Sequence, residues 1–148
     1  MKKLLLLLFA LPLFSLTAQV QDPVHWSAVY KKVSANEGEV VITALIDKGW
    51  HTYSQKAVTD GPIPTTFSIT LPAGLNIDGK VQESPAHEAF EPAFGLTIGS
   101  YSDKAEFIQK IKTNGKVGQV IKVSVEYMCC NDMMCLPPKT AEFSVKTQ

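Results

Sequence analysis

The three cysteines of this 148-residue chain lie in one short stretch, and their sulfurs are the side chains best suited to chemistry. Cys129 and Cys130 are adjacent, and Cys135 follows after a short polar turn. Asn131 and Asp132 open that turn, since their side chains bond local backbone and tolerate a left-handed conformation. Such a turn brings two Cα atoms within the roughly 4.4–6.8 Å that a disulfide needs. One interpretation is a redox pair that exchanges with partner thiols.

Two other interpretations of the cysteine cluster stay open on the residues alone. In the first interpretation, the cysteine pair forms a disulfide that only stabilises the fold, a structural staple, although closing a loop this short removes little chain entropy. The second is a copper(I) site, because Met128, Met133 and Met134 add soft sulfur ligands to the cysteines. Whichever pair forms, an odd number of cysteines leaves one over.

The segments on either side of the cysteines alternate apolar and polar residues. Residues 121–127 predict one strand and residues 141–145 another. We therefore expect the cysteines at the mouth of a hairpin that joins the last two strands. Pro137 and Pro138 fix φ and remove two backbone donors, so the segment after Cys135 is stiff and poorly suited to a central strand.

The rest of the chain predicts a series of short strands separated by turns, which is typical of an all-β sandwich. Asn114-Gly115 is the strongest hairpin signal in the chain, and it precedes the strand that ends at the cysteines. Residues 84–95 predict an irregular stretch. The β-branched run at residues 40–46 predicts a strand that is buried on both faces. Further strands are expected at residues 24–33, 50–54, 66–71, 75–81, 96–101 and 105–112.

The N-terminus has the pattern of a secretory signal peptide. Lys2 and Lys3 precede an apolar run at residues 4–13, and Ala18 is a small residue at the expected cleavage site. The prediction is a cleaved signal over residues 1–18 and a single domain over residues 19–148. Export places the thiols in an oxidising compartment, where a disulfide persists.

The charge composition of the chain excludes one class of binding partner. The formal net charge is zero, which argues against nucleic acid, because phosphate binding needs a basic face. The three histidines, His25, His51 and His87, are scattered without metal-ligand spacing. We therefore predict no cofactor and no metal, and we expect the histidines at surface or partly buried positions.

The cysteine stretch also carries a family resemblance. Tyr127-x-x-Cys130, a polar turn, and Cys135-x-Pro137-Pro138 resemble the N-terminal periplasmic domain of DsbD, the thiol:disulfide interchange protein. The resemblance covers about residues 26–145. It implies an immunoglobulin-like β-sandwich with a redox-active cysteine pair on the hairpin of its last strands, and Tyr127, Pro137 and Pro138 as supporting residues.

The resemblance leaves a choice between two cysteine pairings. The best-known family spacing is one residue longer, and counted back from Cys135 it reaches Cys129. The tyrosine spacing and the Asn-Asp turn favour Cys130. Successive strand residues point to opposite faces, so Cys129 and Cys130 do not both face Cys135. We predict Cys130 and Cys135 as the redox pair; in the family it is the second cysteine that bonds the partner.

A second stretch resembles the cap loop that shields the cysteine pair in this family. Glu91 and Phe94, followed by Gly95, match it in residue type. Ala93 stands where a bulkier aromatic is expected, and we expect Phe90 or Phe94 to substitute for it. The alternative is an ordinary loop whose aromatic side chains pack at the edge of the sandwich.

The function that the resemblance implies is protein-disulfide reductase-type electron transfer in the periplasm, linked to cytochrome c biogenesis. The donor would be a thioredoxin-like domain or protein, fed by a membrane electron transporter of DsbD type. The acceptors would be periplasmic disulfide proteins. This sequence contains neither the thioredoxin-like domain nor the membrane electron transporter, so we expect its partners to be separate polypeptides.

Overall fold

The structure, a computed structural model, describes residues 21–148, so the predicted signal peptide at residues 1–18 lies outside the described residues. Within that range, no helix is long and apolar enough to cross a membrane. The described residues form strands only: β1 (Val24–Lys32), β2 (Glu37–Ile46), β3 (His51–Tyr53), β4 (Thr66–Thr70), β5 (Asn76–Glu83), β6 (His87–Glu91), β7 (Leu96–Tyr101), β8 (Lys104–Lys112), β9 (Val120–Tyr127), β10 (Cys129–Cys130) and β11 (Lys139–Lys146).

Two of the three sheets face each other across the main core. One has the order β1-β2-β8-β5 and the other β11-β9-β4. Ile42 and Phe107 from the first sheet and Val123 and Val125 from the second are all buried in one apolar cluster. Each such side chain contributes about 1.5–3 kcal/mol by leaving water. The predicted all-β sandwich is confirmed.

The β2 strand shows why a continuous apolar run need not be buried throughout. Val40, Val41 and Ile42 are all buried, as predicted for a strand covered on both faces. Leu45, near the end of the same run, is exposed. The prediction is therefore wrong at that end, because covering both faces depends on what packs above and below the sheet.

The third sheet, β10-β3-β7-β6, lies beside the main sandwich and carries its own small apolar cluster. Tyr53, Ile98 and Cys130 form the buried centre of this cluster. Phe94 and Cys135 pack against it, partly buried. The sheet thus brings a disulfide region and residues from the middle of the chain into one place.

The turn at Asn114-Gly115 does not make the predicted hairpin. Both residues have positive φ, 50° and 74°, and the Lys116 N–H donates to the Thr113 carbonyl over 2.9 Å. However, β8 already has β2 on one side and β5 on the other, so neither of its edges is free. The strand after the turn, β9, therefore joins the opposite sheet.

The predicted irregular stretch at residues 84–95 is wrong over its centre, where β6 pairs with the edge of β7. Pro85 and Pro92 lie outside the strand and leave its ladder intact. By contrast, the strand predicted at residues 75–81 is present as β5, with a register shift between Asp78 and Gln82.

The last two long strands pair as expected, but the cysteines leave their ladder. β9 and β11 are antiparallel from Tyr127↔Lys139 to Val120↔Lys146, and β11 lies at an edge, as the two prolines suggested. Between them, β10 crosses to the third sheet and pairs with β3. The cysteines therefore do not simply close the β9–β11 hairpin, because the segment between these two strands pairs in a different sheet.

Candidate functional site

A disulfide joins Cys130 to Cys135 at the end of the third sheet, with the two Cα atoms 4.0 Å apart. The two residues also form an antiparallel bridge, and the Leu136 N–H donates to the Cys129 carbonyl over 2.9 Å. Cys130 is fully buried, whereas Cys135 is partly exposed. A partner can therefore approach the sulfur of Cys135 but not that of Cys130.

The turn between the two cysteines is organised by Asn131. Its side-chain Oδ1 accepts from the backbone N–H groups of Met133 and Met134 over 2.9 and 2.8 Å. Its own N–H donates to the Met134 carbonyl over 2.9 Å. Asn131 closes the turn in this way, as its residue type suggested, and the methionine side chains are left in solvent.

Cys129 is the free thiol of the chain and faces away from the disulfide. It is buried in the main core, whereas Cys130 lies in the small cluster of the third sheet. Burial raises the pKa of the Cys129 thiol to about 11; the charge of Lys139 lowers it and that of Asp22 raises it. Because the thiolate is the nucleophile, a thiol protonated at neutral pH is inert.

Of the predicted supporting residues, Tyr127 belongs to the main core and does not line the site. Its ring packs against Trp26 with centroids 5.2 Å apart, and its hydroxyl donates to Asp22 over 3.1 Å. It thus anchors the start of the described chain. Pro137 and Pro138 are exposed and lead from the disulfide into β11.

The loop after β6 packs Phe94 into the small cluster that also contains the disulfide. The Gly95 N–H donates to the Glu91 carbonyl over 2.9 Å, and Gly95 itself has φ 66°, which suits glycine. The ring of Phe94 meets that of Tyr53 edge-on at 6.3 Å and packs into the small cluster. Phe90 is instead 65% exposed. Of the two aromatics predicted to shield the cysteines, Phe94 packs in their cluster and Phe90 does not, and the shielding role itself stays a prediction.

A groove of about 640 Å³ separates this loop from the cysteine turn. Its floor includes Cys135, and its rim carries exposed apolar side chains: Met133 is 88% exposed, Met134 51% and Phe90 65%. Exposed apolar side chains grouped in this way are typical of a contact surface. The groove therefore offers a partner both a reactive sulfur and an apolar rim.

Three polar side chains meet at one wall of the groove. His51 Nε2 lies 2.6 Å from Glu91 Oε2 and 3.2 Å from the Tyr53 hydroxyl. The Tyr53 hydroxyl donates to Glu91 Oε2 over 3.3 Å. Burial raises the pKa of Tyr53, and the Glu91 carboxylate raises it further, so the hydroxyl remains a donor.

Sequence reasoning predicted Glu91 at this site and missed His51 and Tyr53. The available signal was their two-residue spacing on one predicted strand, which places both side chains on the same face. Their meeting with Glu91 depends on the pairing of β3 and β6 with β7, which no local pattern shows.

The family of the chain follows from comparison with known proteins. The sequence pattern described as "Thiol:disulfide interchange protein DsbD, N-terminal" matches residues 19–147. The chain belongs to this family. No curated protein is similar enough to count as a relative.

Two solved structures support the same fold for this DsbD N-terminal family member. The reduced form of the Neisseria meningitidis DsbD N-terminal domain has 19% identity and a TM-score of 0.57; the match covers 87% of this chain and 96% of that one. The N-terminal periplasmic domain of ScsB from Proteus mirabilis has 16% identity and a TM-score of 0.57, over 89% of this chain and 49% of that one. The expected immunoglobulin-like sandwich is confirmed.

The sulfur-bearing side chains of this family member fall into three surroundings. Cys129 lies in the main core, Met128, Cys130 and Cys135 belong to the small cluster, and Met133 is in solvent. Over residues 21–148, no group of three or more His, Cys, Asp or Glu side chains is placed to hold a metal ion. Methionine sulfur is also a copper(I) ligand, so the copper(I) interpretation stays an alternative.

Proposed function

We propose that the chain is a periplasmic thiol–disulfide exchange protein that carries reducing equivalents through Cys130 and Cys135. The observation that carries the proposal is the division of the disulfide into one approachable and one buried sulfur, in a chain of the DsbD N-terminal family. The Neisseria relative, described in a reduced form, is consistent with a pair that opens and closes.

Reduction begins when a donor thiolate attacks Sγ of Cys135. The Cys130–Cys135 bond breaks, its electron pair goes to the sulfur of Cys130, and a mixed disulfide joins the donor to Cys135. The second donor thiolate then attacks the donor sulfur of that bond and releases Cys135. The donor becomes a disulfide, and the two cysteines, after taking up two protons, become thiols.

When the reduced protein passes its reducing equivalents on, Cys135 becomes the attacking group and an acceptor disulfide is attacked. The thiolate of Cys135 attacks an acceptor disulfide and forms a mixed disulfide, while the acceptor's leaving sulfur takes a proton. Cys130 then attacks Sγ of Cys135, restores the internal disulfide and releases the reduced acceptor. The short bridge between the two cysteines keeps the resolving sulfur next to the bond that it must attack.

The groove fits partners that present a cysteine on a protruding apolar loop. We propose a thioredoxin-like domain or protein, supplied by a membrane electron transporter of DsbD type, as the donor. Periplasmic disulfide proteins are the acceptors. Met133, Met134 and Phe90 supply the rim on which these partners dock.

Redox titration tests this function against the structural staple. The Cys129→Ala protein is equilibrated in glutathione buffers, and the remaining thiols are trapped with an alkylating reagent and counted by mass. We expect reversible titration at a potential above the roughly −300 mV that marks inert structural disulfides. A pair that stays oxidised in every buffer would make the disulfide a staple.

A further inference from the structure

His51 lies directly opposite a redox cysteine on the neighbouring strand. In the antiparallel pairing of β10 with β3, Cys130 is the register partner of His51. Side chains of directly opposed residues share one face of the sheet, with Cβ atoms about 4.5–5.5 Å apart. His51 also lines the groove that contains Cys135. His51 therefore lies across from Cys130 and lines the same groove as Cys135.

The role of His51 is tied to Glu91. The side chains are 19% and 12% exposed, so their 2.6 Å contact is poorly screened by solvent. Among the ion pairs of residues 21–148, Glu91 has no other cationic partner. If His51 were uncharged, the groove would hold an uncompensated carboxylate beside the cysteines. A carboxylate in that position disfavours formation of a thiolate.

We propose that His51 is a positioning residue for thiol exchange, whose imidazolium neutralises Glu91 and so eases the formation of thiolates at Cys130 and Cys135. The inference rests on the proposed function and deepens it. When the disulfide opens, the electron pair of the broken bond goes to the buried Cys130 sulfur. An adjacent neutral ion pair opposes that charge less than a lone carboxylate does.

The inference carries a definite signature in the pH dependence of thiolate formation. Substitution of His51 leaves Glu91 without its cationic partner, so thiolates should form at a higher pH in His51→Gln than in the parent. Removal of the Glu91 carboxylate as well should cancel that difference. The other titratable side chains facing this wall are Tyr53, which stays a neutral donor, His87 from β6 and Asp132 from the turn.

The size of the effect follows from two opposing terms. If the uncompensated carboxylate moves thiolate formation up by about one pH unit, about tenfold fewer thiolates are present at a given pH. Each thiolate is then about threefold more nucleophilic, because nucleophilicity rises with a Brønsted coefficient of about 0.5. The net expectation is exchange about threefold slower in His51→Gln at low pH.

The experiment compares four reduced proteins in a Cys129→Ala background: the parent, His51→Gln, Glu91→Gln and the double variant. Thiolate absorbance at about 240 nm gives the pH dependence of ionisation, and 2-hydroxyethyl disulfide, which is uncharged, gives the exchange rate. His25→Gln is the matched control, since His25 forms a 3.0 Å pair with Asp47 on the exposed side of β1. Near-ultraviolet circular dichroism checks folding.

We expect thiolates to form about one pH unit higher in His51→Gln than in the parent, and exchange below that pH to be about threefold slower. Glu91→Gln should not slow exchange, the double variant should match Glu91→Gln, and His25→Gln should match the parent. The inference is overturned if thiolates form at the same pH in His51→Gln and in the parent, or if the double variant stays as slow as His51→Gln. If the inference about His51 is overturned but the parent still exchanges, the proposed function is retained. If the parent does not exchange at all, both the proposed function and the inference are rejected.

Discussion

At the scale of single residues, neighbouring cysteines in one stretch have different surroundings and therefore different chemistry. Cys135 lines the groove, Cys130 is buried in the small cluster of the third sheet, and Cys129 is part of the main core. Thiol reactivity depends on access and on the ease of forming the thiolate. Only Cys135 has the access, so attack by a partner should begin there.

Trapping of the mixed disulfide tests this division of roles. The partner is a thioredoxin-like protein that carries only its attacking cysteine, activated as a mixed disulfide with a chromophoric thiol. Cys130→Ser should accumulate a stable covalent complex through Cys135, because the resolving sulfur is missing. Cys135→Ser should trap little, and Cys129→Ser should turn over like the parent. The assignment is wrong by one residue if Cys129→Ser abolishes exchange and Cys130→Ser does not.

The buried Cys129 thiol predicts a loss of stability at alkaline pH. Its pKa is raised from 9.0 to about 11 in the folded protein. A raised pKa means that its contribution to stability is complete below pH 9 and is lost as pH rises toward 11. Urea unfolding at several pH values should show a steeper decline for the parent than for Cys129→Ala. Parallel declines in the two proteins would show that Cys129 is not the cause.

At the scale of elements, the site forms where three short segments converge on the third sheet. β10 contributes Cys130 of the disulfide, β3 contributes His51 and Tyr53, and β6 with the loop after it contributes Glu91 and Phe94. None of these segments could build the site alone. The loop is held by its own turn and by the contact of Glu91 with His51 of β3.

Removal of the Phe94 ring should expose the sulfurs. In the reduced protein, Phe94→Ala should raise the rate of alkylation by iodoacetamide severalfold, because it removes a ring from the small cluster that contains Cys130 and Cys135. Phe90→Ala is the matched control and should have little effect, since its ring is already in solvent. If the folded Phe94→Ala protein reacts at the parental rate, the loop is ordinary packing and has no shielding role.

At the scale of the whole molecule, the sandwich is a rigid frame with one functional edge. The facing sheets bury the main core, and the third sheet presents the groove with its apolar rim. Met133 and Met134 extend from a turn that Asn131 holds by hydrogen bonds. Flexible methionine side chains suit a surface that must accept both a donor and an acceptor.

Polar substitutions on the rim should separate docking from chemistry. Met133→Ser together with Met134→Ser should lower kcat/KM for a thioredoxin-like partner about tenfold, equal to about 1.4 kcal/mol. The rate with 2-hydroxyethyl disulfide should stay at the parental level, because a small disulfide needs no rim. Val117→Ser, at another exposed apolar position, is the matched control. An equal loss with both substrates would place the effect at the disulfide instead.

The sequence by itself determined the features that depend on neighbouring residues. Alternation predicted most of the strands, since burying one face of a strand requires period two. The Asn131 turn and the spacing of Tyr127, Cys130 and Cys135 indicated the disulfide and the family before any pairing of strands was known. The cleaved signal and the domain start at residue 19 stay predictions.

Only the tertiary structure decided which strands pair and what meets at the site. Asn114-Gly115 turns the chain as predicted, but β9 joins another sheet because β8 has no free edge. His51 looked like an isolated histidine until β3, β10 and β6 entered one sheet and placed it beside Glu91 and opposite Cys130. The reason is that hydrogen bonds between strands join residues far apart in sequence, so a local pattern predicts that a strand exists but not which strand lies next to it.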